Sequence, residues 1–150
     1  MKKAQLEKIL KRYDYLDSNL LAILQDVQVE ENYLSREALE GVAERLVIPL
    51  ARVYKLATFY RAFSLTPRGR HLINVCLGTA CHVRGATKVL ERLERDLGVE
   101  AGGTTKDLGF TLDTVRCIGC CSLGPVVVID GEIFGKLNQG KAAKLLKEYN

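Results

Sequence analysis

The sequence predicts an α+β protein in which an N-terminal helical bundle precedes a four-stranded mixed sheet covered by helices. Three observations support this fold class. Residues 1 to about 62 show apolar side chains at helical spacing only. The period then changes from helical to extended after the turn-rich segment 66–69. Beyond it, the patterns follow the order strand, helix, strand, hairpin and helix. We therefore predict a helical domain over residues 1–66 and a second domain over residues 67–150.

Four helices are predicted in the first domain. Residues 17–19 should supply a break and a cap between the first two helices, and Ser35 should cap the third. Pro49 suits the first turn of the fourth helix, where its missing N–H would be unpaired anyway. The buried positions expected in these helices are Leu6, Ile9, Leu10 and Tyr13; Leu20, Leu21, Ile23, Leu24 and Val27; Leu39, Val42, Ala43 and Leu46; and Leu50, Val53, Tyr54, Leu56, Ala57, Phe59 and Tyr60. The fourth helix is aromatic, and we expect Tyr54, Phe59, Tyr60 and Phe63 to divide between core and interface.

The second domain is predicted to alternate strands and helices. Strands are expected at 71–75, 110–115 and 126–129, and residues 132–137 should return antiparallel after the hairpin signal Asp130-Gly131. A helix containing Ala86, Val89, Leu90, Leu93 and Leu97 should end at Gly98, and residues 141–149 should form the last helix with Ala142, Leu145, Leu146 and Tyr149 inward. This order is the minimal thioredoxin-like plan.

Composition and charge exclude several function classes. No apolar run approaches the roughly 18 residues of a membrane-spanning helix, so we expect no membrane insertion. The net charge is only +4, and Lys and Arg alternate with Glu and Asp, which disfavours nucleic-acid binding. The start, Met1-Lys2-Lys3, is not followed by the apolar region of a signal peptide, so we expect a cytoplasmic protein. Thiols in that compartment are more often metal ligands or catalytic groups than disulfides.

Five cysteines are the strongest functional signal. Cys76 and Cys81 are separated by four residues, Cys117 and Cys121 by three, and Cys120 stands beside Cys121. Each pair begins where a predicted strand ends, and because parallel strands end at the same sheet edge, the two pairs should meet. Three chemistries are open: an iron–sulfur cluster, a dithiol redox site on Cys117 and Cys120, and a structural zinc site.

The residues around the thiols favour the cluster. The two loops contain several glycines and no acid, which suits a negatively charged cluster that accepts backbone N–H hydrogen bonds, and Arg84 and Arg116 add positive charge at the rim. We expect both loops to be exposed. The four-residue gap is at the edge of the range for zinc turns, and a dithiol would leave the first pair without a role. His82 and His71 are not at ligand spacing, so we expect His82 to make loop hydrogen bonds only.

The motifs around these cysteines resemble a known family. They are Cys76-Leu-Gly-Thr-Ala-Cys-His-Val-Arg-Gly-Ala86, the 35-residue gap from Cys81 to Cys117, Cys117-Ile-Gly-Cys-Cys121, Gly-Pro-Val-Val-Val and Phe-Gly-Lys-Leu. This pattern is similar to the thioredoxin-like 2Fe-2S ferredoxin subunit of NADH dehydrogenase (complex I), of NAD-linked and often electron-bifurcating hydrogenases, and of formate dehydrogenases. The helical stretches Ile-Pro-Leu-Ala-Arg-Val-Tyr and Ala-Thr-Phe-Tyr are similar to the same family.

The resemblance implies one 2Fe-2S cluster on Cys76, Cys81, Cys117 and Cys121. It implies an electron-transfer subunit of an NAD(P)-linked oxidoreductase, without a substrate site of its own, which exchanges electrons with a larger flavin (FMN) and NAD(P)-binding iron–sulfur subunit. A hydrogenase or formate dehydrogenase catalytic subunit would belong to the same complex. The sequence departs from the family pattern at Cys120 and at Gly124, where Ala is common, and we expect the change at Gly124 to be harmless.

Overall fold

The computed structural model describes residues 3–149. Contacts divide the chain between Pro67 and Arg68 into two compact units. Within residues 3–149 no helix is long and apolar enough to cross a membrane.

The first unit contains the four predicted helices. They are α1 (Lys3–Arg12), α2 (Leu20–Glu31), α3 (Arg36–Leu46) and α4 (Leu50–Phe59), with a 3₁₀ turn at Asp17–Asn19. Ser35 caps α3 as predicted, because its hydroxyl accepts the Ala38 N–H at 3.2 Å. Asn19 makes no side-chain cap, so the predicted cap of α2 is wrong, and Asp17 instead pairs with Arg52 at 2.7 Å. Pro49 stands just before α4 rather than in its first turn.

The core of this unit joins all four helices. Most of the predicted positions are buried, including the four of α3, together with Leu34 and Phe63. Phe59, at the end of α4, is 74% exposed and Tyr60, just beyond it, is 39% exposed. The predicted positions that are only partly buried are Tyr13, Leu21, Leu50, Tyr54 and Leu56. The aromatic residues therefore divide between the core and the surface.

The second unit is a four-stranded mixed sheet with helices. Its strands are β1 (His71–Cys76), β2 (Phe110–Val115), β3 (Val127–Ile129) and β4 (Glu132–Phe134), and its helices are α5 (Thr79–Val83), α6 (Ala86–Leu97) and α7 (Gln139–Glu148). The strand order is β2-β1-β3-β4. β1 is parallel to β2, and the other two pairs are antiparallel. The predicted fold class is confirmed.

The sequence missed α5 and overestimated β4. α5 occupies the gap between the first two cysteines, and at five residues it is too short to give a periodic signal. β4 ends at Phe134 rather than residue 137 because the chain leaves the sheet there, and the Lys136 N–H donates to the Leu123 carbonyl at 2.6 Å. Gly98 ends α6 in the left-handed conformation, and Asn138 caps α7, which begins two residues earlier than predicted.

Candidate metal centre

The two cysteine segments lie side by side because β1 and β2 are parallel and in register. Cys76 is the last residue of β1 and faces Val115, the last residue of β2, so Cys117 follows two residues beyond the same edge. The Leu77 N–H donates to the Val115 carbonyl at 2.8 Å and continues this pairing into the loop. The prediction that both pairs start where a strand ends is confirmed.

Four of the five cysteines line one cleft of about 520 Å³. These are Cys76, Cys81, Cys117 and Cys121, the four ligands that the family resemblance implies. The other lining residues are Leu77, Gly78, Thr79, Ala80 and Arg116. Of the described residues that line the cleft, Arg116 is the one with a charged side chain, and none is Asp or Glu. A cluster with a net negative charge would favour such a lining.

Burial separates the two pairs. Cys76 and Cys81 are 3% and 2% exposed, whereas Cys117 and Cys121 are exposed. The expectation that both loops are exposed is therefore wrong for the first pair. The reason is that Cys76 still belongs to β1 and Cys81 faces inward from α5, where both pack with Ala86 and Val126.

Backbone N–H groups converge on the sulfur atoms. Burial raises the pKa of Cys76, but hydrogen bonds from the N–H groups of Gly78 and Ile118, and from the Cys81 thiol, outweigh it, so the pKa of Cys76 is lowered. Burial and the neighbouring Cys76 raise the pKa of Cys81, against the effect of the Val126 N–H. The Gly119 N–H donates to Cys117 Sγ at 3.3 Å. Such donors stabilise thiolate charge.

Close packing of backbone holds the two segments together. A Cβ at Gly78 would lie 2.6 Å from the Arg116 carbonyl oxygen, so only glycine fits between the segments. Arg84, which follows α5, donates from Nη1 to the Cys121 carbonyl at 2.5 Å. Neither contact could be seen in the sequence, although Gly78 and Arg84 were both part of the motif that carried the family resemblance.

Cys120 lies outside the cleft. It is partly buried and packs against the apolar group formed by Cys76, Cys81, Ala86 and Val126. Its carbonyl accepts the Leu123 N–H at 2.9 Å at the start of the 3₁₀ turn Cys121–Leu123. His82 is exposed and its Nδ1 contacts Thr87 Oγ1 at 3.2 Å, in keeping with the loop role predicted for it. Among residues 3–149 no three His, Cys, Asp or Glu side chains are grouped as the ligands of a single metal ion.

The donor set and its surroundings fit a 2Fe-2S cluster. Such clusters are held by four cysteine thiolates, and here four thiols share a cleft without carboxylates and with N–H donors directed at three of the sulfurs.

Comparison with known proteins defines the class. Residues 6–150 match the family model described as thioredoxin-like [2Fe-2S] ferredoxin. The chain therefore belongs to the thioredoxin-like [2Fe-2S] ferredoxin family, as the cysteine motifs indicated, and the predicted cofactor, a 2Fe-2S cluster, is the one that this family carries.

Particular relatives are subunits of oxidoreductases. The chain is 38% identical over 133 residues to the NADP-reducing hydrogenase subunit HndA of Solidesulfovibrio fructosivorans, covering 89% of this chain and 78% of the relative. It is 37% identical over 146 residues to a subunit of the NADH-quinone oxidoreductase of Rickettsia prowazekii (strain Madrid E), covering 95% of this chain and 82% of that subunit.

A solved structure supports the fold. An air-oxidized NAD⁺-reducing [NiFe]-hydrogenase matches with a TM-score of 0.77 and 22% identity over 87% of this chain. The match spans only 22% of that longer hydrogenase chain, and at this identity it shows the fold alone.

Proposed function

We propose that this protein is an electron-transfer subunit that holds one 2Fe-2S cluster on Cys76, Cys81, Cys117 and Cys121. The observation that carries the proposal is the shared cleft, which these four thiols line and Cys120 does not. In the cytoplasm, the subunit would act within a soluble hydrogenase, formate dehydrogenase or NADH dehydrogenase complex. The relatives named as hydrogenase and NADH-quinone oxidoreductase subunits support this assignment.

Within that complex, the partner is a larger FMN- and NAD(P)-binding iron–sulfur subunit. When bound, the cluster would supply a one-electron carrier that exchanges electrons with the partner's flavin, without forming a bond to substrate. A further catalytic subunit, of hydrogenase or formate dehydrogenase type, would supply or consume the electrons. We assign the helical domain 1–66 a docking role and the domain 67–150 the redox role.

The protein's own residues have separate tasks in this scheme. The buried pair, Cys76 and Cys81, shields one side of the cluster from water, while Cys117 and Cys121 leave the other side within reach of a partner. The N–H groups of Gly78 and Ile118 stabilise thiolate charge at Cys76. Arg116 and Arg84 offset negative charge at the rim.

The ligand assignment is tested with a matched pair of neighbouring cysteines. Anaerobically purified wild type should be brown and contain two irons and two sulfides per chain, as a 2Fe-2S cluster requires. Cys120→Ser should keep this content and the charge-transfer absorption. Cys121→Ser should lose the cluster or shift its absorption and electron paramagnetic resonance spectra. Equal losses from both variants would contradict the ligand assignment, and zinc in a colourless wild type would contradict the function.

The complex is identified by a separate measurement. A tagged version expressed in the native organism should co-purify with a flavin-containing subunit in constant stoichiometry, checked by mass spectrometry and by flavin fluorescence after denaturation. Purification as a single chain with reducible Cys117–Cys120 disulfide would instead indicate a thiol oxidoreductase.

A further inference from the structure

Positive side chains gather at the end of the second unit that carries the cysteines. Three sequence segments contribute to this end, residues 76–88, 115–127 and 134–141, and none of them contains Asp or Glu. The cations that these segments place around the cleft are Arg84, Lys88, Arg116, Lys136 and Lys141. All five are exposed. We call the surface that they form, together with Val83 and Leu123, the basic cysteine face.

Contacts show that these residues form one surface. Arg116 lines the cysteine cleft, and Arg84 donates to the Cys121 carbonyl. Arg84 and Lys88 line a neighbouring cavity of about 710 Å³, whose other wall is the segment 137–140, which leads into α7. Lys136 is tied by its N–H to Leu123, and Lys141 Nζ donates to the Lys136 carbonyl at 3.2 Å.

Of the three acidic residues in the sheet and its hairpin, Asp113 lies within β2, and Asp130 and Glu132 lie at the opposite end. Asp130 contacts His71 Nδ1 at 2.7 Å and the Leu72 N–H at 2.9 Å, where β1 begins, and Glu132 accepts from the Tyr149 hydroxyl. The six residues of β1 separate the two ends by about 16 Å. This exceeds the Debye length of about 8 Å at physiological ionic strength, so the two ends present different charges to a partner.

Two further features mark the basic cysteine face as an interface. Helices α6 and α7 both begin there, and the positive ends of their dipoles reinforce the local potential. Val83 is 79% exposed and Leu123 is 41% exposed beside the cations. Apolar side chains within a charged rim are typical of surfaces that bind proteins.

We propose that the basic cysteine face docks onto an acidic surface of the subunit that exchanges electrons with the cluster. This inference rests on the proposed function and adds the chemistry of the partner surface. The five cations are more than the cluster needs, because an oxidised 2Fe-2S cluster with four thiolates has a formal charge of about −2. A positive surplus therefore remains, and the matching partner surface carries carboxylates around its redox centre.

The first experiment measures electron transfer from the full cluster-loaded chain to gold electrodes in low salt. One electrode carries a carboxylate-terminated monolayer and the other an amine-terminated one. The wild type should transfer electrons about tenfold faster at the carboxylate surface, and added salt should remove the difference. The Lys88→Glu/Lys136→Glu variant should lose the preference, while Lys106→Glu, an exposed lysine in the loop before β2, should keep it.

The outcomes separate this proposal from the proposed function. Absence of cluster absorption and of iron in the wild type would contradict the proposed function. A loaded cluster with equal rates at both electrodes, or with equal effects of the double variant and Lys106→Glu, would overturn the docking proposal alone. A reduction potential shifted by the double variant with the electrode preference intact would also overturn it, because the cations would then serve only the cluster.

The second experiment identifies the molecule that binds the basic cysteine face. In the purified native complex, a carbodiimide joins lysine amines to carboxylates that touch them. Mass spectrometry should find Lys88, Lys136 or Lys141 linked to Asp or Glu of the flavin-containing subunit. Links from Lys106 alone would contradict the proposal. So would binding of a single-stranded DNA oligonucleotide at 150 mM salt that the double variant abolishes, because the occupant would then be a nucleic acid.

Discussion

The two cysteine segments of the second unit contribute two thiols each to one cleft, but their backbones differ. The first runs from the end of β1 into α5 and buries both of its thiols. The second is an irregular turn after β2 that contains Gly119 at a φ of 88° and leaves both of its thiols exposed. One side of the site is thus formed by regular structure and core packing, and the other by a loop that the first side holds in place.

This difference shows how one site can shield two thiols from water and still leave two thiols accessible at the surface. The buried side keeps two sulfurs from water, while the other side leaves two sulfurs at the surface, where a partner could approach them. The loop depends on the first segment through Gly78, through Arg84 and through the Ile118 N–H that reaches Cys76. Substitutions on the two sides should therefore have unequal effects.

The largest contrast is expected between Cys76→Ser and Cys121→Ser. Cys76 is buried among N–H donors, and its substitution would remove a proposed ligand at a position that water cannot reach. Cys121 is exposed, so serine or water can complete the coordination there. Cluster affinity should fall more than about tenfold further for Cys76→Ser than for Cys121→Ser. Iron content after competition with a chelator checks this; equal losses would show that burial does not distinguish the two sides.

The next effect is expected at Gly78, where the two segments touch. A methyl group would lie 2.6 Å from the Arg116 carbonyl oxygen, so Gly78→Ala must push the segments apart. We expect a loss of about 1–3 kcal/mol in the free energy of unfolding, together with poorer cluster retention. Urea unfolding and iron analysis measure both. Gly140→Ala is the control, because its Cβ would meet only Asn138 Oδ1 at 3.5 Å, and stability should not fall.

A smaller effect is expected for Arg84→Gln. The substitution removes a charged donor from the Cys121 carbonyl, but Arg84 is exposed, so the cost should be about 1 kcal/mol or less. The loop should open more often and iron should reach a chelator faster. Arg92→Gln, which removes an ion pair with Asp96 on α6, is the matched control and should leave iron release unchanged. Unchanged iron release from Arg84→Gln would show that the loop keeps its conformation without this hydrogen bond.

The smallest effect is expected for Gly124→Ala. Its backbone φ of −57° suits any residue, but the new Cβ would lie 3.2 Å from Cys81 Sγ and 3.3 Å from the Cys121 carbonyl oxygen. A shift of a few tenths of an ångström relieves both contacts, so stability should change by less than about 1 kcal/mol. A small shift in the visible circular dichroism of the cluster should be the main sign. Loss of the cluster would contradict the expectation that this change is harmless.

The fold was predictable wherever one periodic pattern filled a whole element. The face of α3, the end of α6 at Gly98 and the Asp130-Gly131 hairpin are in the structure as the sequence indicated. The failures lie where tertiary contacts override local patterns. α5 is too short to repeat, and β4 ends early because Lys136 bonds to Leu123.

The sequence predicted that the two cysteine pairs meet, but it did not predict that one pair is buried and the other exposed. Strand order and register bring the cysteines together, and both can be inferred from the order of elements. The burial of Cys76 and Cys81 depends on α5 and on the packing of Ala86 and Val126, which no spacing of cysteines reveals. The N–H donors depend on loop conformation and are equally invisible in the sequence.

The contact between Gly135 and Leu123 bears on when during synthesis a cluster can be inserted. A Cβ at Gly135 would lie 2.7 Å from Leu123 Cβ, and the Leu137 N–H donates to the Pro125 carbonyl at 3.2 Å, so the segment after β4 braces the turn that carries Cys121. A nascent chain exposes Cys76 and Cys81 at the ribosome long before that brace has been translated. We therefore expect cluster insertion to follow release of the nearly complete polypeptide.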